Sequence, residues 1–131
     1  MGLLLYDSKI ISCYNEGNIT TEAGQIGGII GSLQDTCYIS DSYNIGKIMS
    51  KGNSGNETKD SYIGGITGIN YGIIERCWNT GNIESNSGGI GGISGAVVNG
   101  DLKECYNTGT ITSIGANING DVSQGRNSWI C

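Results

Sequence analysis

Five cysteines, Cys13, Cys37, Cys77, Cys105 and Cys131, are the side chains of this sequence best suited to chemistry. A thiol can ligate zinc, close a disulfide or attack an electrophile, and each role sets conditions. Zinc is held by Cys and His in close pairs, yet the chain has no His and no Cys-x-x-Cys. A complete disulfide framework needs an even count. The missing His also removes the usual base for nucleophilic catalysis at neutral pH. Twelve carboxylates remain, but they recur at no common position that would pair them. Glu75 and Glu104 come nearest; one lies two residues before a cysteine and the other one residue before, so they fall out of register. Two carboxyl groups flanking a bond need a fixed separation. The expectation is a chain that is not an enzyme, with no catalytic residues, no cofactor and no metal. The stretch "GNSGNETKD" at 52–60 is rich in oxygen donors but lacks the nonapeptide pattern of calcium-binding β-rolls, and reads as a solvated loop. A single "TIT" at 110–112 is too little for the regular threonine array of an ice-binding face.

The cysteine spacing has another source. "CYNEGNI" stands at 13–19, "CWNTGNI" at 77–83 and "CYNTGTI" at 105–111, with a looser "SYNIGKI" at 42–48. Cys131, at the end of "SWIC", falls where a fifth copy would begin. A second motif alternates with the first: "IGGIIG" at 26–31, "IGGITG" at 63–68, "IGGISG" at 90–95 and a worn "IGANING" at 114–120. A period between 20 and 50 residues signals a solenoid, propeller or array. Four copies of about 28 residues, each with room for about three short strands, favour one turn of a β-solenoid over a propeller blade. The repeats lie near 13–41, 42–76, 77–104 and 105–131, in a single domain over 1–131, and the long second period is assigned to a loop insertion at 50–60.

Composition agrees. Gly occupies 24 positions and Pro none, while isoleucine dominates the apolar residues. Stiff β-branched side chains suit a pleated surface, and repeated glycine costs a helix roughly 1 kcal/mol each time. A net charge of −5 with scattered basic residues argues against nucleic acid as a partner. No stretch is apolar for long enough to insert as a membrane-spanning helix, and "MGLLLY" lacks the basic start and cleavage site of a signal peptide. The fold class expected is all-β, a right-handed parallel β-helix of about four coils.

Strand alternation then assigns faces. In "KIISCYNEG", Ile11, Cys13 and Asn15 share one side and Ser12 and Tyr14 the other. Placing the cysteines inside predicts a column of Cys13, Cys77, Cys105 and Cys131, behaving as small buried apolar groups. The same parity predicts an asparagine ladder of Asn15, Asn44, Asn79 and Asn107, bonded from coil to coil beside turn glycines. Tyr14, Tyr43, Trp78 and Tyr106 would form an aromatic strip facing out. Such a strip could bind a glycan or a host surface protein, or could only stack on itself to stabilise the sheet. The "IGGI" core places its isoleucines on opposite faces of a straight strand, so a bend is expected at the glycines, which reach positive φ at low cost. The chain begins and stops within a repeat, as a segment of a longer protein would, and exposed coil edges are expected to pair end to end.

The alternation of "GGI-x-G" with "CYNTGxI" resembles the GLUG-type repeats of bacterial cell-surface and adhesin-like proteins, also found in the non-catalytic part of some immunoglobulin A-specific metallopeptidases. The resemblance covers about residues 2–120; Ser42 departs from the usual Cys, and 115–120 is eroded. It implies a parallel β-helix at an extracellular or cell-surface location and brings no catalytic residues. The function expected is a structural or adhesive repeat module, a rigid stalk or binding face. The alternative is the non-catalytic β-helical region of a secreted enzyme, or a small glycan-active β-helix enzyme.

Overall fold

The computed structural model describes residues 3–4, 6–22, 24–51, 61–86 and 89–113. All the secondary structure among them is β, in strands of two to four residues, and every pairing is parallel. The chain is a parallel β-helix. Each turn lays down five short strands, and each strand stacks on its equivalent one repeat away. One sheet holds Leu3–Leu4, Ile30–Leu33, Thr67–Asn70 and Ser94–Val97, and the next holds Lys9–Ile11, Tyr38–Ser40, Ile73–Glu75 and Asp101–Lys103. The heptapeptides supply two more: Tyr14–Asn15, Tyr43–Asn44, Trp78–Asn79 and Tyr106–Asn107, then Ile19–Thr21, Ile48–Ser50, Ile83–Ser85 and Ile111–Ser113. A fifth sheet of Gln25–Gly27, Tyr62–Gly64 and Gly89–Gly91 closes the section.

Register is kept while the connections vary. Eleven residues, 51–61, join Ser50 to Tyr62 where three join the equivalent strands in the coils before and after. The following corner shortens to two residues, 71–72, against four at 34–37 and three at 98–100. The insertion is therefore longer than the second period alone suggests. Residues 52–60 lie outside the described residues, yet Ser50 and Tyr62 on either side stay in step with Ser85 and Gly89.

Isoleucine columns fill the interior in two lobes. Ile48, Ile63, Ile83 and Ile90 form one; Ile10, Ile39, Ile74, Ile66, Ile93 and Leu33 belong to the other, with Cys37, Cys77 and Cys105. Each buried Ile contributes about 1.5–3 kcal/mol, and a single coil would leave half of that surface exposed, so stability resides in the stacking.

Straight-strand parity fails at one place. Ile11 is 53% exposed and Ile10 is the buried residue. Ser12, Asp41, Arg76 and Glu104, at the same point of each coil, all have positive φ, between 49° and 55°. This left-handed kink splits the predicted strand before the heptapeptide. It turns the chain so that Ile10 and Cys13, three apart, share the inner side.

The Gly-Gly motif does bend, at 28–29, 65–66 and 92–93, but without positive φ; among the described glycines only Gly24 has one. Space is the reason for glycine there. A Cβ on Gly65 would lie 2.2 Å from the Gly92 carbonyl oxygen and 2.4 Å from Asn79 Cγ.

Candidate functional site

Three columns run along the heptapeptide strands, and each is built by register rather than by sequence neighbours. The asparagine column is a chain of amide hydrogen bonds. Asn15 Nδ2 donates to Asn44 Oδ1, Asn44 Nδ2 to Asn79 Oδ1 and Asn79 Nδ2 to Asn107 Oδ1, each at 2.7 Å. The same nitrogens donate to the carbonyls of Gly17, Gly46, Gly81 and Gly109 at 2.7–2.9 Å, which pins the corner. Asn44 and Asn79 are fully buried, and these bonds satisfy amides that would otherwise destabilise the interior. Opposite them stand the glycines of the Gly-Gly motif. A Cβ on Gly28 would meet Asn44, one on Gly65 would meet Asn79 and one on Gly92 would meet Asn107. The asparagines and these glycines together divide the two apolar lobes. Asn15, in the first coil, has no such glycine against it and is only half-buried.

In the second column Cys77 and Cys105 are buried as expected, while Cys13 is exposed because it stands on the outermost rung of the described stack. Cys131 lies outside the described residues. The four described cysteines are free thiols. Cys77 Sγ and Cys105 Sγ each donate to the carbonyl two residues back, Glu75 and Lys103, at 3.2 Å. Ser42 fills the vacant rung: its Oγ donates to the Ser40 carbonyl at 2.7 Å and accepts from the Cys13 backbone N–H at 3.1 Å. Thiol and hydroxyl thus do the same work at the kink. Burial pushes the Cys77 thiol up from an ordinary 9.0 to about 11, so it stays protonated and unreactive at neutral pH.

The third column faces out. Tyr14 and Tyr43 stack with centroids 5.3 Å apart, Tyr43 and Trp78 at 4.8 Å, and Trp78 and Tyr106 at 6.1 Å, all within 13° of parallel. Each inner ring has both faces covered by its neighbours. What the column offers a partner is ring edges and hydroxyls along its length, and open faces only at Tyr14 and Tyr106, which are 62% and 47% exposed.

Beside it lies a polar group that sequence reasoning missed. Arg76 makes a two-pronged bond to Asp41, Nε–Oδ1 2.7 Å and Nη2–Oδ2 3.0 Å, and its Nη1 lies 2.9 Å from Glu75 Oε2. Tyr38 Oη also donates to Glu75 Oε2. Arg76 holds the Asp41 carboxyl below its usual range, helped by Ser40, and Tyr38, with Arg76, does the same for Glu75. The bond to Glu75 raises Tyr38 in turn. Both carboxylates are already engaged, which suits a clamp between coils better than a reacting pair. The signal was available: Asp41 and Arg76 each precede a heptapeptide and so must be register neighbours. Glu75 and Glu104 do not come together; Glu75 is paired with Lys103.

Among the described residues no group of three or more His, Cys, Asp or Glu side chains is placed to hold a metal ion, and no helix is long and apolar enough to cross a membrane. The 52–60 stretch lies outside them. No protein-family model matches the chain, and neither a curated protein nor a solved structure is detectably similar to it.

Proposed function

We propose that this chain is a structural repeat module, a rigid segment of a bacterial surface or secreted protein that spaces or displays what lies beyond it. The observation that carries this reading is the unbroken asparagine chain across four rungs. The polar residues that recur with the repeat are spent on joining coils, and the recurrent thiols are buried or bonded to backbone. A stack held this way resists bending because each rung is bonded to both neighbours. The surface setting rests on the resemblance to GLUG-type repeats.

A second reading, adhesion to glycans or host surface proteins, is favoured by the outward aromatic column. Stacking of the rings on one another limits it, since sugars bind best to an open ring face. A glycan and extracellular-matrix array tests both readings, with the native chain compared against Trp78→Ala/Tyr106→Ala. The scaffold reading expects no selective binding, or binding indifferent to the two substitutions. Binding that is lost in a double variant with unchanged circular dichroism would replace it with the adhesive one.

A further inference from the structure

The two outermost rungs differ from the inner ones in what they leave uncovered. Ile48 and Ile83 are fully buried, whereas Ile19 and Ile111, at the same repeat position, are only partly so. Ile39 and Ile74 are likewise buried, and Leu102, at the same position of the last rung, is not. Tyr14 and Tyr106 each keep one ring face open. On the first rung, Ile10, Cys13, Asn15, Gly28 and Ile29 border a hollow of about 610 Å³. Unpaired strand edges with apolar side chains are templates for further pairing.

We infer that the first-rung surface is a docking site for the last-rung surface of a second copy of this chain, joined head to tail so that the β-helix continues across the junction. The register supplies the argument. Asp101 stacks on Ile73, Ile73 on Tyr38 and Tyr38 on Lys9, so the next position in that column after Asp101 belongs to a residue equivalent to Lys9. At the junction the second copy's Lys9 would therefore face Asp101, opposite charges at adjacent strand positions. Both side chains are exposed, and among the described residues neither makes an ion pair. In the same register Tyr106 meets Tyr14, Ile111 meets Ile19 and Leu102 meets Ile10, each repeating a pair found inside the stack. Asn107 Nδ2 would find Asn15 Oδ1, as Asn79 Nδ2 finds Asn107 Oδ1 within the chain. Such a contact is heterologous and does not close, so it builds linear assemblies rather than a dimer.

This rests on the scaffold reading only in requiring a rigid stack. A folded chain that stays single would sink the docking and leave the scaffold intact. The test is sedimentation velocity over a hundredfold concentration range on the native chain, Lys9→Asp, Asp101→Lys and the Lys9→Asp/Asp101→Lys combination, each checked for native circular dichroism. The expected result is concentration-dependent assembly of the native chain, weakened roughly fivefold or more by either single reversal and restored by the combination. A native chain that remains monomeric throughout overturns the inference. Assembly that ignores the charges, or single reversals that the combination does not rescue, overturns it too, because the association then uses another surface.

Discussion

A cysteine recurring once per repeat invites a reading as a small apolar filler, and its surroundings say otherwise. Cys77 Sγ donates to the Glu75 carbonyl at 3.2 Å, and the Ser42 backbone N–H bonds back to it. Ser42 on the rung before does the same with oxygen. This equivalence sets up a test in which chemistry and size make opposite forecasts. If the position were only apolar, Ala would be the milder substitute. If it serves as a donor and acceptor at the kink, Cys77→Ser should cost about 1 kcal/mol or less, while Cys77→Ala should cost about 1–3 kcal/mol by leaving the Ser42 N–H buried without a partner. Urea unfolding of the two variants decides it, and Ala milder than Ser would return Cys77 to the role of filler.

At the scale of strands and corners, glycine is selected by how closely coils approach. Gly65 faces the Gly92 carbonyl and Asn79, and a Cβ would sit within 2.5 Å of both. Gly17, a turn glycine of the first rung, has only Asn15 Oδ1 within reach, at 3.6 Å. Gly65→Ala should therefore destabilise by more than about 3 kcal/mol or prevent folding, an overpacking cost at the upper end of its usual range because the obstacle is backbone. Gly17→Ala should change stability by less than about 1 kcal/mol. Chemical denaturation of both, with equal losses as the contrary result, tests whether close approach or turn geometry is what glycine serves. The same contacts explain how much could be read from the sequence. The repeat revealed the parallel stack, the asparagine ladder and the outward aromatic column, because register makes every residue's neighbour its own counterpart one coil away. Ile11 was placed inside because the kink before each heptapeptide is made by Ser12, Asp41, Arg76 and Glu104, residues with no common chemistry and none of them glycine. The pairing of Asn79 with Gly65 across the interior was hidden for a different reason: it joins two motifs through the width of the coil, which periodicity along the chain does not encode. Ser42 looked like a departure from the repeat only while the cysteine was taken as apolar.

The whole molecule behaves as a one-dimensional stack, and its connections matter less than its rungs. Coil length varies at two places while register is held, so the loop of 51–61 and the corner of 71–72 are adjustments outside the repeating core. The core sequence on either side, Ile48–Ser50 and Tyr62–Gly64, pairs with its neighbours as the shorter coils do. Removing eight residues, 53–60, would leave a three-residue connection like those of the adjacent coils. The loop-closure entropy of eleven residues exceeds that of three by about 1 kcal/mol, and no described bond of the core is lost. The shortened chain should therefore fold to the same parallel stack and gain about 1 kcal/mol in stability, read as a higher urea midpoint with an unchanged slope. A loss of stability would mean that 52–60 contributes bonds to the body of the solenoid. A changed slope would mean that the second and third coils no longer unfold with the rest, contrary to a stack joined rung to rung by Asn44 and Asn79.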